Sequence, residues 1–181
     1  MTSFDLNFAR QDHFALFGLP RRYAIDRAEL DRLYREVQAR VHPDKHAHLG
    51  DADRRVAMQW ATQVNEAYQT LSDPLRRARY LLYLVGYDPK IETNTAMPPE
   101  FLVEQMELRE AVADARAAGD AVQLDEQHRR MRKEMAAQHE ELRQAIDEAH
   151  DPARAGEIVR QLMFHEKLLR EIDEALEAVE A

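Results

Sequence analysis

Apolar residues recur along this chain at intervals of three and four, the spacing that keeps side chains on one face of a helix. Asp12 predicts the cap of a short first helix through Phe17, with Gly18 as its stop. Asp26-Arg27-Ala28-Glu29, an Asp variant of the capping box, opens a second helix on which Leu30, Leu33, Tyr34, Val37 and Val41 form one stripe. Arg32, Arg35 and Arg40 fall on the opposite side, where Glu29, Asp31 and Glu36 dilute their charge. In Val41-His42-Pro43-Asp44-Lys45 the proline cannot continue the helix and biases His42 away from helical geometry, so the chain leaves the helix as a polar tip facing solvent. After a loop over residues 46–51, Val56, Trp60, Val64, Tyr68 and Leu71 share one face of a third helix, and the two stripes together make an antiparallel hairpin core. Asp73-Pro74 caps and starts a fourth helix ending near Gly86. Its end, Tyr80-Leu81-Leu82-Tyr83-Leu84-Val85, is apolar enough to need covering, and we expect the following part of the chain to dock there and be rigidly joined.

Residues 87–99 are the one connector rich in Pro, Asn and Thr. Beyond it the periodicity predicts helices over about 99–117, 120–150 and 153–179, separated by Ala118-Gly119 and Asp151-Pro152. Leu124, His128, Met131, Met135, Leu142 and Ile146 line the middle one, and Ile158, Leu162, Leu169, Ile172, Leu176 and Val179 the last. The expected fold is all-α: an amino-terminal helical domain over 1–84, a linker over 85–99, and an antiparallel three-helix bundle over 100–181.

The first bundle helix has more apolar residues than one stripe needs. Phe101, Leu108, Val112 and Ala115 cluster on one side, while Leu102, Val103 and Met106 centre roughly 145° away, bordered by Glu107, Glu110 and Asp114. Either the helix has a broad buried arc or it shows solvent a hydrophobic strip edged with carboxylates. Phe164 lies roughly 120° off the core line of the last helix, so it either faces outward or plugs the groove between two helices.

Composition narrows the function. With 45% hydrophobic and 33% charged residues, five glycines and seven prolines in 181, the chain is helix-rich and leaves little room for a turn-rich β protein. No apolar run approaches membrane-spanning length, and Met1-Thr2-Ser3-Phe4-Asp5 reads as neither a secretory signal nor a transit peptide, so a cytoplasmic protein is expected. Without cysteine it can form no disulfide, thiolate zinc site or cysteine-ligated cluster of its own. The net charge of −9 is uneven: residues 1–84 carry 13 Lys and Arg against 11 Asp and Glu, and residues 85–181 carry 12 against 23. An acidic second half disfavours nucleic acid and suits either a basic partner or a solvated helical face.

His42-Pro43-Asp44 between antiparallel helices resembles the signature of J-domain co-chaperones, which trigger ATP hydrolysis by Hsp70 chaperones. Phe14-Ala15-Leu16-Phe17-Gly18-Leu19, Tyr34-Arg35, and Ala67 through Pro74 followed by Arg77 and Tyr80 are similar to that family's flanking segments. A J-domain, a short linker and a bundle containing Phe101-Leu102-Val103-Glu104-Gln105-Met106-Glu107-Leu108-Arg109-Glu110, with Arg79-Tyr80-Leu81-Leu82 at the joint, resembles the HscB family of iron–sulfur cluster assembly. The resemblance implies an L-shaped molecule that brings an IscU-type scaffold protein to an HscA-type Hsp70. His42, Pro43, Asp44 and Lys45, with Arg32, Arg35 and Arg40, would meet the chaperone. Leu102, Val103, Met106, Glu107, Glu110, Asp114 and Phe164 would meet the scaffold. Asp114 stands where the family can have Glu, and Val103 and Met106 are apolar variants. The rival readings are a J-domain co-chaperone for another client and a helical adaptor outside the chaperone system.

Enzymatic signals are weak. There is no Gly-rich phosphate loop and no nucleophile–base arrangement. His42, His46 and His48 lack a carboxylate or cysteine partner for a metal, and His128, His139 and His165 read as polar tips at the edge of the bundle core. Met131 and Met135 read as core fillers. We expect no catalytic residue, metal or cofactor, and a monomer that binds neither membrane nor nucleic acid.

Overall fold

The local signals that open and close each helix are satisfied by specific hydrogen bonds. In the computed structural model, which describes residues 11–41, 51–89 and 97–180 (backbone alone for 51–53), seven α-helices and no strand are found among the described residues. They are α1 His13–Phe17, α2 Arg27–Val41, α3 Asp51–Ser72, α4 Pro74–Leu84, α5 Pro99–Ala118, α6 Ala121–Arg143 and α7 Pro152–Glu180. The chain divides into two compact units, Met1–Leu81 and Leu82–Ala181, so the division falls inside α4.

In the first unit Asp12 accepts from the amides of Phe14 and Ala15, and Gly18 closes α1 at φ 67°, a left-handed conformation that costs glycine little. Burial pushes the Asp12 carboxyl up, but the Ala15 amide, Arg21 and the Phe14 amide outweigh it and leave its pKa below the ordinary value. Asp26 accepts from the Ala28 amide at 2.8 Å and starts α2. Leu30, Val37 and Val41 of α2 are buried with Val64, Ala67 and Leu71 of α3, and Phe14, Leu16 and Phe17 of α1 are buried beside them. Leu33, Tyr34, Trp60 and Tyr68 sit half-buried at the edge of that core.

A polar and aromatic staple holds α2 antiparallel to α3. Arg27 donates to Asp31 at 2.9 Å, to the Tyr68 hydroxyl at 2.9 Å and to the Ser72 carbonyl at 2.8 Å. Tyr68 donates to Asp31 at 2.8 Å and stacks on Tyr34, whose hydroxyl donates to Asn65. Arg77 of α4 donates to the neighbouring Leu71 carbonyl, so two carbonyls that α3 leaves unpaired in its last turn are each met by a guanidinium.

The second unit is a three-helix bundle. Gly119 ends α5 at φ 67°, and Asp120 caps α6 by accepting from the Gln123 amide. The middle helix departs from the expected straight run to His150. After Arg143 the backbone widens into a π-helical turn over Gln144–Glu148, with the Ala149 amide donating to the Gln144 carbonyl. The added residue moves Ala145, and not the expected Ile146, into the core. His150 then takes the left-handed closing position at φ 52°, where glycine is usual. Asp151 accepts from the Arg154 amide to start α7. On α7 the core line runs through Ile158, Leu162, Leu168, Ile172 and Ala175; Leu168 replaces the expected Leu169, which is half-buried. Leu81 and Leu82 at the end of α4 are buried, as its apolar character requires, but Tyr83 and Val85 stay 74% and 69% exposed. Covering is therefore one-sided.

Replacing Arg27 by alanine removes three hydrogen bonds at once, one to a helix-terminal carbonyl, and should lower the stability of the first unit by about 1 kcal/mol. Urea unfolding followed by the fluorescence of Trp60, the single tryptophan, measures this; an unmoved midpoint would show that the staple adds nothing.

Candidate functional site

Helix α5 starts with Pro98-Pro99, where the missing amide hydrogen is one the helix would not use, and three residues later the first exposed apolar side chain appears. Phe101, Gln105, Leu108, Val112 and Ala115 form its inward set, buried or half-buried. Leu102, Val103 and Met106 are 38%, 55% and 70% exposed, and Glu107, Glu110 and Asp114 are exposed with them. At 100° per residue these six fall within an arc of about 140° lying opposite the inward set. Of the two readings open for α5, a broad buried arc is excluded: the second apolar side faces solvent.

Phe164 resolves differently. It is half-buried, its ring edge-on to Phe101 with centroids 5.7 Å apart, so it fills the groove between α5 and α7 and leaves part of its ring accessible. An aromatic packs there because Phe101, one position before Leu102, offers it a ring edge to meet. Phe164 thus reaches the amino-terminal turn of α5, where the exposed strip begins.

Behind this pair lies a residue the sequence misplaced. His165 is 1% exposed, inside the core and not at its edge, because Phe101, at 5.5 Å between ring centroids, closes over it. Its Nδ1 lies 2.8 Å from Gln138 Oε1 on α6, and its Nε2 has no hydrogen-bond partner. Burial pushes the His165 pKa down, against the pull of Glu134 and Glu104. His128 and His139 are half-buried as expected, His128 with Nε2 3.2 Å from Asp173.

On α2, Arg32, Arg35 and Arg40 are all exposed; at 100° per residue Arg32 and Arg35 lie opposite Leu30 and Val37, while Arg40 lies beside Val37, off the shared face expected for the three. Arg32 is held by Glu36 at 2.5 Å and Glu29 at 3.8 Å, the dilution anticipated from the acidic residues between the arginines. His42, Pro43, Asp44 and Lys45 lie outside the described residues, as do His46 and His48.

A groove of about 530 Å³ runs between the carboxy-terminal halves of α5 and α7, floored by Val112, Ala113 and Ala175 and crossed by an Arg109–Glu171 pair at 3.0 Å. It brings together no nucleophile and base. Among the described residues no three His, Asp or Glu side chains converge as a metal site would require, and no helix is long and apolar enough to cross a membrane.

Comparison with known proteins joins these parts. Residues 12–80 match the DnaJ domain family, and residues 97–173 match the HSCB C-terminal oligomerisation domain family. The pair defines the class, a J-domain co-chaperone carrying a helical bundle behind its J-domain. A co-chaperone protein HscB homolog of Aromatoleum aromaticum is 55% identical over 94% of this chain and 97% of its own. Chaperone HscB from Vibrio cholerae superposes with TM-score 0.83 at 35% identity, covering 93% of this chain and 99% of that one. Human co-chaperone protein HscB superposes with TM-score 0.84 at 27% identity, covering 91% and 81%. The chain belongs to the HscB co-chaperone family.

Because Val103 and Met106 are solvated, changing both to serine should move stability by no more than about 0.5 kcal/mol. Leu162→Ala, which empties a fully buried site, should cost about 2–5 kcal/mol. Urea unfolding followed by circular dichroism compares the two; a large loss in the double serine variant would mean that the strip is core.

Proposed function

We propose that this protein couples an iron–sulfur scaffold to a chaperone ATPase. The amino-terminal domain, residues 1–84, stimulates an HscA-type Hsp70 through His42, Pro43 and Asp44, assisted by Lys45 and the outward Arg32, Arg35 and Arg40. The bundle over 100–181, reached through the linker 85–99, carries an IscU-type scaffold on Leu102, Val103, Met106, Glu107, Glu110, Asp114 and Phe164. It acts in the cytosol as a monomer and supports cluster assembly or transfer. The chaperone performs the hydrolysis; this chain favours the conformation that hydrolyses ATP and closes on its client.

The observation carrying the reading is the strip on α5. A bundle helix that exposes three large apolar side chains in a row, on the face away from its own core, has a surface that water leaves unsatisfied and a partner would cover. Glu107, Glu110 and Asp114 give that partner surface a sign, favouring a basic rim. On α2 the exposed arginines give the other partner the opposite sign, at reduced strength because Arg32 is already paired.

Asp44→Ala should abolish stimulation of the chaperone in a single-turnover ATPase assay while leaving scaffold affinity unchanged, since losing one member of a desolvated charge pair costs about 2–5 kcal/mol. Normal stimulation by that variant would remove Asp44 from the mechanism. Simultaneous Leu102→Ala, Met106→Ala and Phe164→Ala should cost roughly 1.5–3 kcal/mol for each anchor that becomes fully buried, enough to lose scaffold binding in calorimetry. Unchanged affinity with an intact helical spectrum would move the scaffold site elsewhere.

A further inference from the structure

Directly beneath the strip the bundle core is polar. Gln105, between Glu104 and Met106 on α5, is 1% exposed and neither of its amide atoms has a hydrogen-bond partner. His165 of α7 is equally buried. The Gln138 amide nitrogen donates to Gln161 at 3.3 Å, which turns its oxygen toward His165 Nδ1. A carbonyl oxygen only accepts, so Nδ1 carries the hydrogen, and in the neutral ring Nε2 is a bare lone pair. The carboxylates facing the ring are Glu134 of α6, with Oε1 3.8 Å from Nε2, and Glu104 of α5. Burial outweighs their pull and favours the neutral imidazole, which is held from one side by Gln138 and capped on another by Phe101, which supports Phe164 in turn.

A second proton has one place to go, Nε2, where no acceptor is in reach. An imidazolium buried to this extent must find a carboxylate, and Glu134 comes within hydrogen-bond distance only if the ring or its surroundings move. Gln105, on the same helix as the strip, has no bonded geometry of its own to resist the shift.

Resting on the scaffold-binding reading above, we propose that His165 is a positioning residue for the strip: its neutral ring holds Phe101, and through it Phe164 and the first turn of α5, and protonation releases them. The direction follows from linkage. Burial favours the neutral form in the native protein, so the ring stays neutral through the ordinary histidine value of about 6.5 and takes its second proton only at a pH beneath it. Scaffold binding falls as the native ring takes up that proton.

Calorimetric titration of the full chain with a purified, cluster-free IscU-type scaffold at about pH 7.5, 6.5, 5.5 and 4.5 tests this. Affinity should hold between about pH 7.5 and 6.5 and drop at a lower pH, by at most about tenfold per pH unit for one proton. His165→Gln, which keeps an N–H donor but cannot charge, should bind at the highest pH and lose the dependence. Glu134→Gln, which removes a carboxylate favouring the proton, should shift the fall to lower pH and serves if the first variant does not fold. A flat wild-type profile, or either folded variant keeping the wild-type profile, overturns the proposal. Absence of wild-type binding at the highest pH overturns the scaffold reading instead. The positioning role is then decided in the free protein by NMR, where the Phe101 and Phe164 ring signals must move with the His165 imidazole; their failure to do so overturns it.

Discussion

A bundle helix turns an apolar stripe of roughly 100° toward its neighbours, and α5 carries apolar side chains over far more of its circumference than that. The excess cannot be buried by α6 and α7, which already take Val112 and Ala115. Leu102, Val103 and Met106 are left in water, and the carboxylates beside them keep this face soluble while restricting what can cover it. The exposed apolar face of the second unit follows from this mismatch. The core holds the helix in one rotational setting, and that setting fixes which residues face solvent.

In the first unit the comparable constraint is electrostatic. The last turn of α3 ends in carbonyls that no further helical amide can reach, and Arg27 and Arg77 arrive from α2 and α4 to meet them. Through Tyr68 and Asp31 the same contact ties the start of α2 to the end of α3. The α2–α3 pair is thereby fastened at the end remote from Val41, after which the described part of α2 stops. The outward Arg32 and Arg35 of α2 keep a shared face as a result, although Glu36 and Glu29 spend part of their charge within the helix.

Features set by a few neighbouring residues were legible in the sequence. Asp12, Gly18, Asp26, Gly119, Asp120 and Asp151 mark helix ends because capping depends on local geometry, and the structure uses each in that way. The two-sided character of α5 was legible too, since 100° per residue separates its faces without any knowledge of the neighbours. What depends on contact between helices was not. Leu168 and Leu169 are equivalent letters, and only the twist of α7 against α6 selects the first. Ile146 is the better hydrophobe, yet a π turn places Ala145 inside. His165 reads as a surface tip until Phe101 is seen over it, and Phe164 could be assigned to the groove only once Phe101 was known to lie opposite. The tip residues 42–45 rest on family resemblance, with no described geometry to add to it.

The segment joining α4 to α5 is pinned at both ends within the second unit. Tyr87 lies so close over α7 that a β-carbon at Gly156 would meet its ring at 2.6 Å, and Arg160 donates to the Pro89 carbonyl. At the far end Met97 is 8% exposed. Both anchors are therefore carried by the bundle. Gly156 in turn has no room for even a methyl group unless the Tyr87 ring swings away, so the one glycine inside α7 is what lets the connector seat against that helix.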